Sequence, residues 1–223
     1  MSAGHQNDAT GRSGAQLVGL SIADPPERWT ALGFRVRDAQ VRAESVTLTL
    51  GIAPQGAGIV GWTLAGLEHE GDIGGLPTRR LDLGSGALPT RGVDPAAGSD
   101  LAGIDHLVVV TPGFDALAAE LTERGLGLRR VAEVRGTRMG FRRIGGPILE
   151  VVEAPGAEAT AFWGITFAVS GPPGGAESLD ELCARSRFVG EPRPAVQPGR
   201  RIATVSRDAG LSTRVAFIDP GTE

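Results

Sequence analysis

Ile104-Asp105-His106-Leu107-Val108-Val109-Val110 and Ile148-Leu149-Glu150-Val151-Val152-Glu153 are the two strings whose reading decides the fold. Each reads as a strand, and each carries one metal-capable side chain among apolar neighbours. Between them, Phe114, Leu117, Ala118 and Leu121 recur at i, i+3, i+4 and i+7 and predict a helix over 114–124. Glu120 and Arg124 form an i, i+4 pair on its other side, and Gly125 supplies the stop. Residues 128–134 and 137–144 read as the middle strands. The order strand, helix, strand, strand, strand fills 101–155.

Working outward, two further stretches fit the same order. In 15–66, alternation at 16–22 opens a strand. Asp24 is a candidate N-cap, Trp29 and Leu32 share a helical face, and Gly33 ends that helix. Strands are expected at 34–41, 45–50 and 59–64. In 160–219, a strand over 161–169 precedes Ser178-Leu179-Asp180-Glu181, a capping-box pattern. The helix it starts is expected to end near Arg187, with strands at 201–207 and 213–218. Residues 1–14 read as a disordered leader. Residues 67–100 read as a Gly/Pro-rich connector in which Leu76-Pro77-Thr78-Arg79 returns as Leu88-Pro89-Thr90-Arg91.

Composition narrows the function classes. A net charge of -4 gives no electrostatic reason to expect nucleic acid or an anionic membrane as partner. No apolar run reaches the length of a membrane span and no secretion signal is legible, so the expected location is cytoplasmic. Lysine and tyrosine are both absent, which removes Schiff-base and tyrosine acid–base chemistry. The single Cys183 falls within the third helix and excludes an intramolecular disulfide.

The strings Asp105-His106-Leu107-Val108-Val109-Val110, Arg124-Gly125-Leu126-Gly127-Leu128, Met139-Gly140-Phe141-Arg142 and Gly146-Pro147-Ile148-Leu149-Glu150 together resemble a glyoxalase-like module. That is the vicinal oxygen chelate superfamily, which includes glyoxalase I, bleomycin-resistance proteins and extradiol dioxygenases. The resemblance implies an α+β fold of repeated βαβββ modules whose curled mixed sheets surround a cleft. It also implies a divalent metal held by a first-strand and a fourth-strand residue, here His106 and Glu150, with Glu150 as ligand or catalytic base. In the third module Gly164 stands where His106 would, and Ala216 or Phe217 where the glutamate would.

Strand alternation puts His106 with Val108 and Val110, and Glu150 with Ile148 and Val152, so two polar groups stand on apolar faces. They hold a metal, or they bond each other, a water or a ligand; both readings stand. Gln197, His69 and a residue from a second subunit are the candidates for a further metal ligand. Trp163 and Phe167 share strand parity and are candidates for an apolar substrate wall. Gln197 and Arg200 flank a Pro-Gly turn from which a guanidinium could meet an anionic ligand. Arg138 and Arg142 share a face and invite the same reading. Gly56-Ala57-Gly58-Ile59-Val60-Gly61 matches G-x-G-x-x-G but leads into a strand, so no nucleotide cofactor is expected.

The expected function is therefore handling of a small organic molecule in a sheet-lined cleft, as a divalent-metal-dependent lyase or isomerase or as a metal-free sequestering protein. An odd module needs a covered face, either from a homodimer partner or from the rest of the chain.

Overall fold

The structure is a computed structural model that describes residues 14–52, 56–82, 103–169 and 178–219. The expected leader and the second Leu-Pro-Thr-Arg copy lie outside the described residues, apart from Gly14. Chain order gives β1 (Gln16–Ile22), α1 (Pro26–Ala31), β2 (Gln40–Ala43), β3 (Val46–Thr49), β4 (Ile59–Ala65) and β5 (Thr78–Leu81). These are followed by β6 (Gly103–Thr111), α2 (Phe114–Glu123), β7 (Arg130–Val134), β8 (Thr137–Arg143) and β9 (Ile148–Glu153). The last part holds β10 (Ala161–Ala168), α3 (Leu179–Arg185), β11 (Arg193–Pro194), β12 (Arg201–Thr204) and β13 (Arg214–Ile218). Among the described residues no helix is long and apolar enough to cross a membrane.

Eight strands form one mixed sheet in the order β11-β12-β13-β10-β6-β9-β8-β7. Its centre is the antiparallel pair β6 and β10, and each of these runs parallel to the last strand of its own half, β9 or β13. The two C-terminal βαβββ halves are thus joined edge to edge through their first strands. The fold is α+β, with mixed sheets and few helices, as the sequence predicts.

The N-terminal sheet has the element order expected over 15–66 but pairs its strands differently. Its order is β2-β3-β1-β4-β5. β3 takes the parallel place beside β1, so the unit closes one strand early. β4, expected to complete it, runs antiparallel to β1 as β10 does to β6. Its own parallel partner is β5, which lies inside the expected connector. Residues 34–39 are not strand either: Asp38 and Ala39 both have positive φ, 48° and 56°, and form a tight turn closed by Arg37 and Gln40.

The two sheets share one core. The face of β6 and β9 carrying Leu107, Val109, Leu149 and Val151 is fully buried. Trp29 of α1 and Phe34 reach across to Phe167 of β10, at ring-centroid distances of 6.3 and 5.0 Å, and Phe34 also meets Phe217 at 6.1 Å. Apolar contact of this kind near 25 cal/mol per Å2 is the main force holding the halves together. The unmatched face anticipated from an odd module is therefore covered by the rest of the same chain.

Polar clamps fix the register of that contact. Asp24 was expected to cap α1, but the N-cap is Pro25 and its side chain makes no cap bond. Asp24 is instead 4% exposed and accepts from Ser212 N (2.6 Å), Ser212 Oγ (2.6 Å) and Thr213 N (2.9 Å). At the end of α2, the Arg124 guanidinium donates to the Glu70 carbonyl at 2.8 Å and to the Asp72 carbonyl at 3.3 Å. The capping box at Ser178 and Glu181 starts α3 as the spacing implies.

Candidate functional site

Strand pairing decides which side chains meet. His106 faces Thr166 across the central pair, and Glu150 of β9 lies beside Val108 and opposite Phe141 of β8. All of them point away from the core face. Together with Met139, Ile148, Arg130 and the segment 194–198, His106 and Glu150 line a cleft of about 540 Å3. Apolar walls with a few convergent polar groups are the usual form of a small-molecule site.

His106 is 9% exposed, and its Nδ1 lies 2.9 Å from Asp105 Oδ2. With the carboxylate accepting, Nδ1 carries a proton, and in the neutral form of the ring Nε2 holds the lone pair. Asp105 also accepts from Arg200 Nη2 at 2.6 Å, and Arg200 Nε donates to the Asp219 carbonyl at 2.7 Å. Burial pushes the Asp105 carboxyl up, but the hydrogen bonds from His106 and Arg200 outweigh it and hold the group below its ordinary range. The chain Arg200, Asp105, His106 therefore fixes the imidazole from behind.

Glu150 is treated differently. Burial pushes its carboxyl above the ordinary glutamate range; His106 pulls it back in part, and Asp105 adds to the rise. Among the described residues its carboxylate has no hydrogen-bond partner. A half-buried acceptor left open on a cleft wall can accept a ligand hydrogen bond or take up a proton.

The residues singled out in the sequence separate into groups. His106, Glu150 and Gln197 line the same cleft. Trp163 lies on the same sheet but is 49% exposed, beside a neighbouring hollow, with Arg214 4.9 Å above its ring. Phe167 is 0% exposed on the opposite face, in the aromatic core. The register shift between Phe162 and Gly164 leaves Trp163 as an extra residue in β10 and breaks the simple alternation that paired it with Phe167. Arg200 reaches the site as the partner of Asp105, so its guanidinium is already engaged. Arg138 and Arg142 do share a face, the helix side: Arg138 pairs with Asp115 of α2, and Arg142 donates to the Gly125 and Gly127 carbonyls. Arg130, opposite Phe141 of β8, and Arg135, in the turn after β7, are the cations that do line the cleft, and no spacing in the sequence singles them out.

The metal that the resemblance implies would need donors from both modules. Glu150 lies beside the residue two beyond His106, and Ala216 lies beside Thr166, two beyond Gly164. Gly164 and Ala216 therefore hold the positions equivalent to His106 and Glu150, and neither offers a donor. A Cβ on Gly164 would lie 2.7 Å from the Arg214 carbonyl oxygen, so no larger residue fits there. Among the described residues no three His, Cys, Asp or Glu side chains are grouped to hold a metal, His69 included. His106 and Glu150 are two donors of the three that a catalytic centre needs, and Gln197, on the same cleft, is the one further candidate placed near them.

No protein-family model matches this chain, and no curated protein matches it. Solved structures do. Methylmalonyl-CoA epimerase from Mycobacterium tuberculosis is 14% identical, over 56% of this chain and 91% of that one, with a TM-score of 0.45. Methylmalonyl-CoA epimerase from Streptomyces coelicolor is 16% identical, over 55% of this chain and 99% of that one, at 0.42. A xylose isomerase-like TIM barrel/4-hydroxyphenylpyruvate dioxygenase fusion protein is 12% identical and aligns over 95% of this chain and 50% of its own, at 0.55. The chain has the vicinal oxygen chelate fold, glyoxalase-like in its paired modules. That likeness covers both sheets, and at such identities it concerns fold alone.

Proposed function

We propose that this protein handles a small organic molecule in the cleft between β6, β8, β9 and residues 194–198, using Glu150 and His106 as its polar pair. The observation that carries the reading is the open Glu150 carboxylate, held above its ordinary pKa on an apolar wall. Glu150 accepts a hydrogen bond or a proton from the ligand, and His106 Nε2 is the second acceptor, aimed by Asp105. Arg130 and Arg135 favour a ligand that carries an anionic group at the cleft's rim. A metal-free binding or proton-transfer role fits this donor set better than a divalent-metal lyase or isomerase.

The test combines metal analysis with ligand-observed NMR. Protein incubated with nickel, zinc, manganese or iron and then desalted is expected to retain less than stoichiometric metal. A screen of small carboxylic acids and ketones is expected to give binders that are lost in both Glu150→Ala and His106→Ala. Stoichiometric metal lost in those variants would replace this reading with the metal-dependent one. Binders indifferent to both substitutions would remove the cleft from consideration.

A further inference from the structure

A second cavity, of about 170 Å3, opens on the other side of the eight-stranded sheet, between residues 33–43 and α3. Its floor is apolar and closed: Phe34, Val41, Leu182 and Phe217 are each no more than 6% exposed. An apolar cavity of roughly 150 Å3 accepts one benzene ring, so the space suits a ring or a short branched chain.

The rim has the opposite character. Arg35, Arg37, Arg42 and Arg185 line it, against the single carboxylate of Asp38. Among the described residues the guanidinium groups of Arg35, Arg37 and Arg42 make no hydrogen bond or ion pair. Such a cluster of cations is unexpected on a chain of net charge -4. The turn that carries Arg37 is held rigidly, with Gln40 N donating to Arg37 O at 2.8 Å and Arg37 N to Gln40 O at 3.0 Å. It does so through Asp38 and Ala39 in the left-handed region, a conformation that L residues adopt only when their surroundings impose it.

We infer that this cavity is a binding site for a small carboxylate with an apolar, ring-sized body: the body enters the phenylalanine-lined floor and the carboxylate meets the arginine rim. The site is separate from the His106/Glu150 cleft and does not rest on the function proposed for it.

Sodium benzoate is the probe, followed by backbone-amide NMR on the whole protein, with acetate and benzyl alcohol as head-only and body-only controls. Saturable shifts are expected at Gly33, Arg37, Gln40 and Ala43, with a Kd on the order of 1 mM for so small a ligand. Benzyl alcohol should bind more weakly than benzoate, and acetate should not saturate. The double variant Arg35→Gln/Arg37→Gln alters only exposed side chains and is expected to keep the native melting temperature while weakening benzoate roughly tenfold. Absence of saturable shifts at those amides overturns the inference. So does unchanged affinity in the arginine variant, or benzoate binding no better than benzyl alcohol.

Discussion

Asp105→Asn keeps the shape of the side chain and removes the charge that Arg200 and His106 both use. Asp105 and Arg200 lie 2.6 Å apart with side chains 15% and 16% exposed, so the pair is largely withdrawn from water. Breaking a fully buried pair by losing one partner costs about 3–5 kcal/mol. Residual exposure and the amide oxygen that Asn still offers to Arg200 reduce this to roughly 2 kcal/mol. For a chain of this size that corresponds to a melting temperature lower by about 4–8 °C. Urea unfolding of the wild type, Asp105→Asn, Arg200→Gln and the double variant, at pH 7 and at pH 3, measures it. The Asp105 carboxyl is held below its ordinary value, so its stabilisation is complete above the unfolded pKa and is lost as pH falls through the folded one. The gap between wild type and variant should therefore narrow on acidification, and the double-mutant cycle should return a coupling of about 1–2 kcal/mol. A cost under about 0.5 kcal/mol at pH 7, or a gap that widens in acid, would refute the Arg200–Asp105–His106 chain as a buried unit.

Glu150 carries the opposite sign: its raised pKa means that the folded state binds more protons, so the wild type loses stability as pH rises through that window. Glu150→Gln should gain on the wild type between pH 4 and pH 8 in urea midpoint, and a flat difference would show that the carboxylate is not held in a desolvated place. Phe167→Ala should cost about 3–5 kcal/mol by opening the aromatic core, and should leave the affinity of any cleft ligand unchanged; a selective loss of that affinity would return Phe167 to the site. Asp24→Ala strands the amides of Ser212 and Thr213 and should cost roughly 2–4 kcal/mol, with hydrogen exchange accelerated at those two amides. Full protection there would contradict the clamp.

The stretch 103–153 was legible almost residue by residue, because its signals are local. The apolar spacing of Phe114, Leu117 and Leu121 and the alternation around Glu150 each specify an element without reference to distant chain. The capping box at Ser178 is of the same kind. Direction of pairing is not local. Ile59–Ala65 reads as a strand whether it runs parallel or antiparallel to β1, and Thr78–Leu81 carries two arginines in four residues and no apolar alternation. The candidate site divides in the same way. His106 and Glu150 are visible as polar residues on apolar faces, whereas Phe167 was misplaced by the single extra residue, Trp163, that flips the pleat of β10. Asp105 was overlooked because its partners, His106 and Arg200, are one residue and 95 residues away, and only the fold makes the second a neighbour.

The shared aromatic core also limits how this chain can be divided. Trp29 and Phe34 on one side and Phe167 and Phe217 on the other complete a single cluster. Cutting between Asp82 and Gly103 would therefore leave each piece with an uncovered apolar face, prone to self-association. The intact protein should melt in one transition, so a weakening substitution anywhere in the N-terminal sheet lowers the occupancy of a working cleft it never touches.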